Sequence, residues 1–433
     1  MNHLELMYQQ HIKIMLERIH ILIEKESLSA LWIFSGSEHS FFQDDQGYPF
    51  KLNPHFNAWL PLLTHPYCWL HITTSDKPVL FFYHREDFWH VHETLPDFIK
   101  IDQIETRFIS DKQAIKSLIQ PSDAFVGVET NLASALGFKR INPPEILHYL
   151  NYHRAYKTDY EIECIRQANA ISVKGHQAVA KAFQAKASEF ELNQIYLQHI
   201  QHEEFETPYR SIIAHNENGA VLHYQKRSRT PPTRINSLLI DAGANYNGYA
   251  ADISRTYALQ EGLFADIVVA MQTLQQKIID DIEIGMPYAD LHQHSIALIA
   301  KLLNEFNLTH ASIEQLLEEN IVKAFYPHGL GHLLGIQVHD VGGNAASPYI
   351  SNNPAMAHEE HRQRLIQPQQ VMTIEPGIYF IEQLLNPHRG KKYLNWKMID
   401  ALIPFGGIRI EDNICVHKQS IENITQDAFK QAQ

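Results

Sequence analysis

Residues Leu238 to Ile253 carry two aspartates, Asp241 and Asp252, on either side of a turn sequence. The stretch reads as two strands joined at Asn245 to Gly248, where Asn and Gly supply the backbone conformations a tight turn needs. The two aspartates are placed symmetrically about that turn, so an antiparallel hairpin would bring their Cβ atoms to roughly 5 Å. Like charges ~4 Å apart repel by ~1 kcal/mol even in water and by more when partly buried, so a shared face calls for a cation. In a different register, one aspartate would instead cap the turn.

Two further segments deliver carboxylates. In Val371 to Gly377, a β-branched run reaches Glu375 and then stops at Pro376-Gly377, which puts that acid at a strand end. In Gly406 to Asp412, alternation sends Ile408 and Ile410 to one face and Arg409 and Glu411 to the other. Either segment alone could be an ordinary surface strand. An imidazole is offered by Pro327 to Asp340, whose glycines suit a loop that approaches a site closely and which holds His328, His332 and His339.

One neutral imidazole and the four carboxylates Asp241, Asp252, Glu375 and Glu411 bring roughly −4 against +4 for two divalent ions, which favours a dinuclear centre. Oxygen-rich ligation with one imidazole suits Mn²⁺ better than a structural zinc site, although Co²⁺ or Zn²⁺ could also occupy it. Two ions about 3.5–4 Å apart would hold a bridging hydroxide and stabilise a tetrahedral oxyanion, so the expected chemistry is hydrolysis of an acyl or phosphoryl bond. The sequence contains no G-x-S-x-G elbow, P-loop or G-x-G-x-x-G to support a rival chemistry.

These residues need elements to hold them. Leu4, Tyr8, Ile12, Met15, Ile19 and Leu22 recur at helical spacing and predict a helix ending before Ser27. Apolar runs at Ala30 to Phe34, Cys68 to Ile72, Val79 to Tyr83 and Ala124 to Val128 predict strands of an α/β domain. Thr158 with Glu161, and Ser188 with Glu191, are capping boxes before helical stripes. The change of character near Tyr156 sets a boundary between domains 1–157 and 158–433. The second domain has helices around Phe264 to Ile278 and after Pro287, and strand-like runs at Leu238 to Ala242, Tyr249 to Tyr257, Val371 to Ile374 and Ile408 to Glu411.

The chain has 433 residues, 45% of them hydrophobic, enough for two cores. Its formal charge of −13 argues against nucleic acid or an anionic membrane surface as partners. Cys68, Cys164 and Cys415 are too few and too scattered for a disulfide framework, and the mixed N-terminus lacks a signal-peptide core, so a cytoplasmic location is expected. No apolar run approaches the ~18 residues that would span a bilayer. With 27 histidines, no single one is informative by itself.

Taken together, the ligand candidates and their order resemble the Xaa-Pro dipeptidases (prolidases) of the pita-bread metallopeptidase superfamily. The resemblance runs through Asp44-Asp45 to Lys51, His153 to Thr158, Asp241 to Arg255, His328 to Gly343, Glu375 to Phe380 and Pro404 to Asn413. It is greatest to the bacterial branch that includes organophosphorus acid anhydrolases. The resemblance implies an α/β N-terminal domain, an α+β pita-bread catalytic domain of curved mixed sheet covered by helices, and a homodimer. It implies that Asp241, Asp252, His332, Glu375 and Glu411 are metal ligands, with Asp252 and Glu411 bridging both ions and Glu375 also shuttling a proton to the leaving amine.

His223 and His339 match the family's substrate-contacting histidines; Tyr209, His328 and Arg409 match residues that line or brace the pocket. Arg409 could also simply pair with a ligand carboxylate. The partner subunit's Asp45 and the partner subunit's Trp89 would close the entrance. One departure is visible: where the family commonly shows Arg-x-x-Arg before the Glu375 strand, this chain has His361-Arg362-Gln363-Arg364. Either Arg362 takes over the capture of a substrate carboxylate, or that capture is altered. The activity implied is hydrolysis of Xaa-Pro dipeptides to release proline, with organophosphorus hydrolysis at the same ions as the alternative.

Overall fold

The computed structural model describes residues 3–85, 87–90, 94–96, 102–343, 345–350 and 365–432. The chain packs as two compact units, the first running to Glu163 and taking in the segment that begins at Ser347, the second beginning at Cys164.

In the first unit, the helix His3–Lys25 buries Tyr8, Ile12, Ile19, Leu22 and Ile23. Burying an Ile or Leu side chain contributes about 1.5–3 kcal/mol, so Ile12→Asp would undo this packing. A six-stranded sheet has the order β4-β3-β2-β1-β5-β6. Its strands are β1 (Leu31–Phe34), β2 (Trp69–Ile72), β3 (Val79–Tyr83), β4 (Glu105–Ile109), β5 (Ala124–Val126) and β6 (Arg140–Ile141). The sheet is mixed, with β1 antiparallel to β2 and parallel to β5. Trp32, Phe34, Trp69, Phe125 and Phe138 fill one core on it. From the later segment, the Ser347 carbonyl accepts from His148 Nε2 at 2.9 Å.

The second unit uses short antiparallel pairs: β7 (Ile212–His215), β8 (Ser237–Asp241), β9 (Asn245–Tyr246), β10 (Tyr249–Ala250), β11 (Ser254–Ala258), β12 (Val371–Ile374), β13 (Gly377–Tyr379), β14 (Gly407–Arg409), β15 (Asp412–Val416) and β16 (Ile421–Asn423). They assemble as β11-β8-β7, β12-β15-β16, β13-β14 and β10-β9. Single bridges at Ser254↔Glu411 and Leu333↔Met372 tie the carboxylate- and histidine-bearing segments to these sheets. Helices cover them. Both capping boxes form: Thr158 N–H donates to Glu161 Oε2 at 2.8 Å, and Ser188 and Glu191 cap each other reciprocally. Val179, Phe183, Leu192 and Tyr196 of two helices pack on Ile213, Leu238 and Ile240 of the sheet. The helix Leu263–Asp280 reaches the end of β12 through Gln275 Nε2, which donates to the Ile374 carbonyl at 3.2 Å.

Two expectations are corrected. The aspartates do not face each other; Asp241 pairs with Ser254, and the run Tyr249 to Tyr257 divides into β10 and β11 with Asp252 between them. The turn proper is Asn247-Gly248, with φ of 51° and 82°, rather than four residues from Asn245. A two-residue loop of this kind shifts the register by two, and glycine is favoured where φ is positive. A shift of two preserves the face, so Asp241 and Asp252 remain diagonal neighbours on one side of the ribbon. The second correction concerns Glu411, which lies beyond β14 and is held by a main-chain bond from its N–H to the Ser254 carbonyl at 3.0 Å.

Candidate metal centre

Asp241 ends β8, and Asp252 follows the hairpin. Tyr209 Oη lies 2.7 Å from Asp241 Oδ1 and 2.6 Å from Asp252 Oδ1. One hydroxyl has a single proton, so it donates to one carboxylate at a time and the other contact needs a further proton or cation. Asp252 is fixed from behind, where Asn413 accepts from its N–H at 3.0 Å and donates to its carbonyl at 2.5 Å.

His332 comes from the glycine-rich loop, which passes so close to β12 that a Cβ at Gly331 would collide with the Thr373 carbonyl. Glycine is required there for that approach. The backbone is fixed further by Thr373 N–H donating to the His332 carbonyl at 2.9 Å and by Tyr288 Oη donating to the Gly331 carbonyl at 2.6 Å. His332 Nδ1 sits 3.0 Å from the Leu333 carbonyl, which makes it the protonated nitrogen and turns Nε2 towards the acids. Nε2 is 3.5 Å from Asp252 Oδ2 and 3.7 Å from Glu375 Oε1. Ligand atoms of Asp252, His332 and Glu411 all lie within 4.8 Å of one another.

Arg409 is buried and spans the floor, donating through Nη2 to Asp241 Oδ2 at 2.6 Å, through Nε to Ser254 Oγ at 2.9 Å and through Nη1 to Tyr379 Oη at 2.9 Å. Ser254 Oγ in turn donates to Glu411 Oε2 at 2.8 Å. His328 Nε2 is 2.8 Å from Tyr379 Oη, and its Nδ1 is 3.8 Å from Glu375 Oε2. A buried pair of Arg255 and Asp412, 2.6 Å apart, steadies the strand entry, and Arg255 also donates to the Glu411 carbonyl at 2.8 Å.

The electrostatics follow from crowding. Burial, then the charges of Asp252, Glu375 and Asp241, push Glu411 well above the usual carboxylate range. Burial, with Asp252 and Asp241 adding to it against His332 and Arg409, raises Glu375 to about 7. Asp241 is raised by burial against the pull of Arg409. Burial also acts on Asp252, but the hydrogen bond and charge of His332 overcome it and leave that acid lowered. His332 rises to about 9 because Asp252 and Glu375 outweigh its burial, whereas burial and Arg409 lower His328 to about 4. Four acids in one desolvated cluster cannot all ionise against a single arginine and imidazole. Divalent cations relieve that repulsion, and the donor set of oxygens with one imidazole fits them.

The His339 ring lies 4.1 Å from that of His332, centroid to centroid. His223 is exposed, and its charge contributes to lowering His339, behind burial and His332. Arg409 pairs with the Asp241 carboxylate and also braces Tyr379. Asp45 and Trp89 are exposed residues of the first unit. His361 and Arg362 lie outside the described residues. Sequence reasoning missed Tyr379, Ser254, Tyr288 and Asn413. A signal existed for Tyr379 and Asn413, each two residues beyond a quoted motif residue on an alternating strand; none existed for Tyr288.

Such a donor set, on a two-unit chain with a pita-bread second unit, defines a metal-dependent hydrolase, and the solved structures it resembles agree on the fold. Aminopeptidase P from Escherichia coli, with the inhibitor Pro-Leu, matches at a TM-score of 0.76 and 20% identity, covering 98% of this chain and 95% of that one. A proline aminopeptidase P II from Yersinia pestis matches at 0.74 and 23% identity, covering 99% and 97%. The model of metallopeptidase family M24 matches residues 163–418, and that of the Xaa-Pro dipeptidase N-terminal domain matches residues 6–152. Xaa-Pro dipeptidases of Shewanella pealeana and Shewanella oneidensis are 44% and 45% identical over 99% of each chain. The chain belongs to metallopeptidase family M24.

Proposed function

We propose that the protein hydrolyses Xaa-Pro dipeptides to an amino acid and free proline, using two divalent cations held by Asp241, Asp252, His332, Glu375 and Glu411. The observation that carries this reading is the convergence of Asp252, Glu375 and Glu411 on His332, with Asp241 joined to Asp252 through Tyr209 Oη, on a chain whose full-length relatives are named Xaa-Pro dipeptidases. When bound, the cations supply Lewis acidity and lower the pKa of a water at neutral pH. Manganese fits the oxygen-rich set best.

The chain's own groups do the rest. Glu375, whose Oε1 stands 3.7 Å from His332 Nε2, takes the proton of the attacking water and delivers it to the proline nitrogen. His332 is held in one tautomer by the Leu333 carbonyl, and Arg409 fixes Asp241 while bracing Tyr379. His223 and His339 orient the dipeptide, Tyr209 and His328 line or brace the pocket, and Arg362 captures the substrate carboxylate. Because His361 occupies the position of the family's first arginine, dipeptide affinity is weakened more than turnover. Proline's nitrogen carries no N–H, which handicaps peptidases that rely on that donor and gives a dedicated hydrolase its purpose.

The domains in this reading are 1–157 and 158–433, and the enzyme is a cytoplasmic homodimer in which the partner subunit's Asp45 and the partner subunit's Trp89 border the entrance. No described helix is long and apolar enough to cross a membrane. The test is an assay of Mn²⁺-loaded protein against Leu-Pro, Leu-Pro-Gly and a fluorophosphate, with chelated protein as control. Cleavage of Leu-Pro above the others is expected. Preference for Leu-Pro-Gly would make it an aminopeptidase P, and preference for the fluorophosphate would make phosphoryl hydrolysis its main activity.

A further inference from the structure

We infer that Cys415, His417 and Glu422 form a separate binding site for one soft divalent cation, of which zinc is the type. The three residues sit at one end of the β15–β16 hairpin, where Cys415 and Glu422 are direct cross-strand partners and His417 N–H donates to the Ser420 carbonyl at 2.9 Å to close the turn. A ligand atom from each lies within 4.8 Å of the other two. His417 Nε2 is already 2.6 Å from Glu422 Oε2. Zinc bonds of about 2.3 Å to sulfur and about 2.0–2.2 Å to nitrogen and oxygen would draw these atoms closer together around the ion.

The surroundings suit a cation. Cys415 is buried and forms no disulfide, whereas the His417 side chain is 38% exposed and gives an entry path. Arg166 also holds Glu422, donating through Nε to Oε1 and through Nη2 to Oε2, each at 2.7 Å. It orients the carboxylate as an outer partner does around a bound ion. The carboxylate and a Cys415 thiolate together supply two negative charges, one of them shared with Arg166.

On loading, the S–H bond of Cys415 breaks, a sulfur–metal bond forms, and one proton leaves to solvent. The His417 ring nitrogen that donates to Glu422 gives up its proton while Nδ1 takes one up, so the neutral ring changes tautomer and offers its lone pair to the ion, and water completes the fourth position. Binding therefore releases a proton and strengthens as pH rises. The thiolate separates this site in chemistry from the oxygen-rich centre, because sulfur selects zinc, cobalt or cadmium over manganese. Since β15 starts at Asp412, directly after Glu411, an ion here would staple the strand that carries the metal centre's last carboxylate.

The full chain, first loaded with Mn²⁺, is titrated with Co²⁺ while near-ultraviolet absorption is followed. Only thiolate ligation gives a sulfur-to-cobalt charge-transfer band; oxygen and imidazole ligands do not. The expected result is a band that saturates at about one cobalt per chain, is abolished in Cys415→Ser and needs at least tenfold more cobalt in His417→Ala, with Leu-Pro turnover within twofold of wild type in both. No band, a band that survives Cys415→Ser and so comes from Cys68 or Cys164, or wild-type cobalt binding in His417→Ala would each overturn the proposal. His417 is at the exposed turn, so its variant keeps the test decisive if the buried Cys415→Ser fails to fold.

Discussion

Asp252→Asn separates a functional role for the acidic cluster from a structural one. The substitution keeps shape, and Asn can still accept from Tyr209 Oη, which lies 2.6 Å from Oδ1. The main chain at this position is held by Asn413 and is untouched by the change. Oδ2 stands 3.5 Å from His332 Nε2, so the substitution gives up the pairing that lowers Asp252 and raises His332. What is removed is a charge that raises Asp241, Glu375 and Glu411. A like pair ~4 Å apart costs about 4 kcal/mol at an effective dielectric near 20, partly relieved already by protonation of a neighbour. Relief of this repulsion and loss of the attraction to His332 oppose each other, so chelated Asp252→Asn should stay within about 2 kcal/mol of chelated wild type. If Asp252 were instead half of a structural buried pair, its loss would cost about 3–5 kcal/mol. Leu-Pro turnover should fall at least a thousandfold, or about 4 kcal/mol of barrier. Urea unfolding of both chelated proteins, with Mn²⁺-supplemented turnover, measures both quantities. Normal turnover, or a loss of several kcal/mol in the chelated state, would refute the reasoning.

Further expectations concern the scaffold around the centre. Gly331→Ala drives a methyl group into the Thr373 carbonyl and should cost about 1–3 kcal/mol in urea unfolding, with weakened Mn²⁺ binding because His332 moves. His176 is fully buried, donates to the Ala242 carbonyl at 2.9 Å beside Asp241, and is lowered by burial to about 3. The unfolded chain binds that proton near pH 6.5 and the folded chain only near 3, so the group's share of stability is complete above 6.5 and is lost on acidification through that window. One such proton contributes a slope of up to about 1.4 kcal/mol per pH unit, so metal-free His176→Gln should show a stability-against-pH curve flatter by about that amount.

Local chemistry made much of this legible. The β-branched run before Glu375, the alternation that pairs Arg409 with Glu411 and the two capping boxes all follow from neighbours in the chain. The hairpin was legible as a hairpin, but its register depended on whether the turn used two residues or four, and only Asn247 and Gly248 adopt the positive φ that decides it. Long-range partners were not legible. Arg409 and Asp241 are 168 residues apart, and Asn413 and Asp252 are 161 apart. Nor do Ile212 to His215 announce themselves, since three apolar residues and a histidine between loops read equally as strand or buried turn.

Titrating chelated protein with Mn²⁺ while following Leu-Pro turnover tests the shared cradle of Asp241, Asp252, His332, Glu375 and Glu411 most directly. Turnover should be absent without the ion and reach its plateau at about two manganese ions per chain. Full activity in chelated protein, or a plateau at one ion, would contradict a dinuclear centre built from these five side chains.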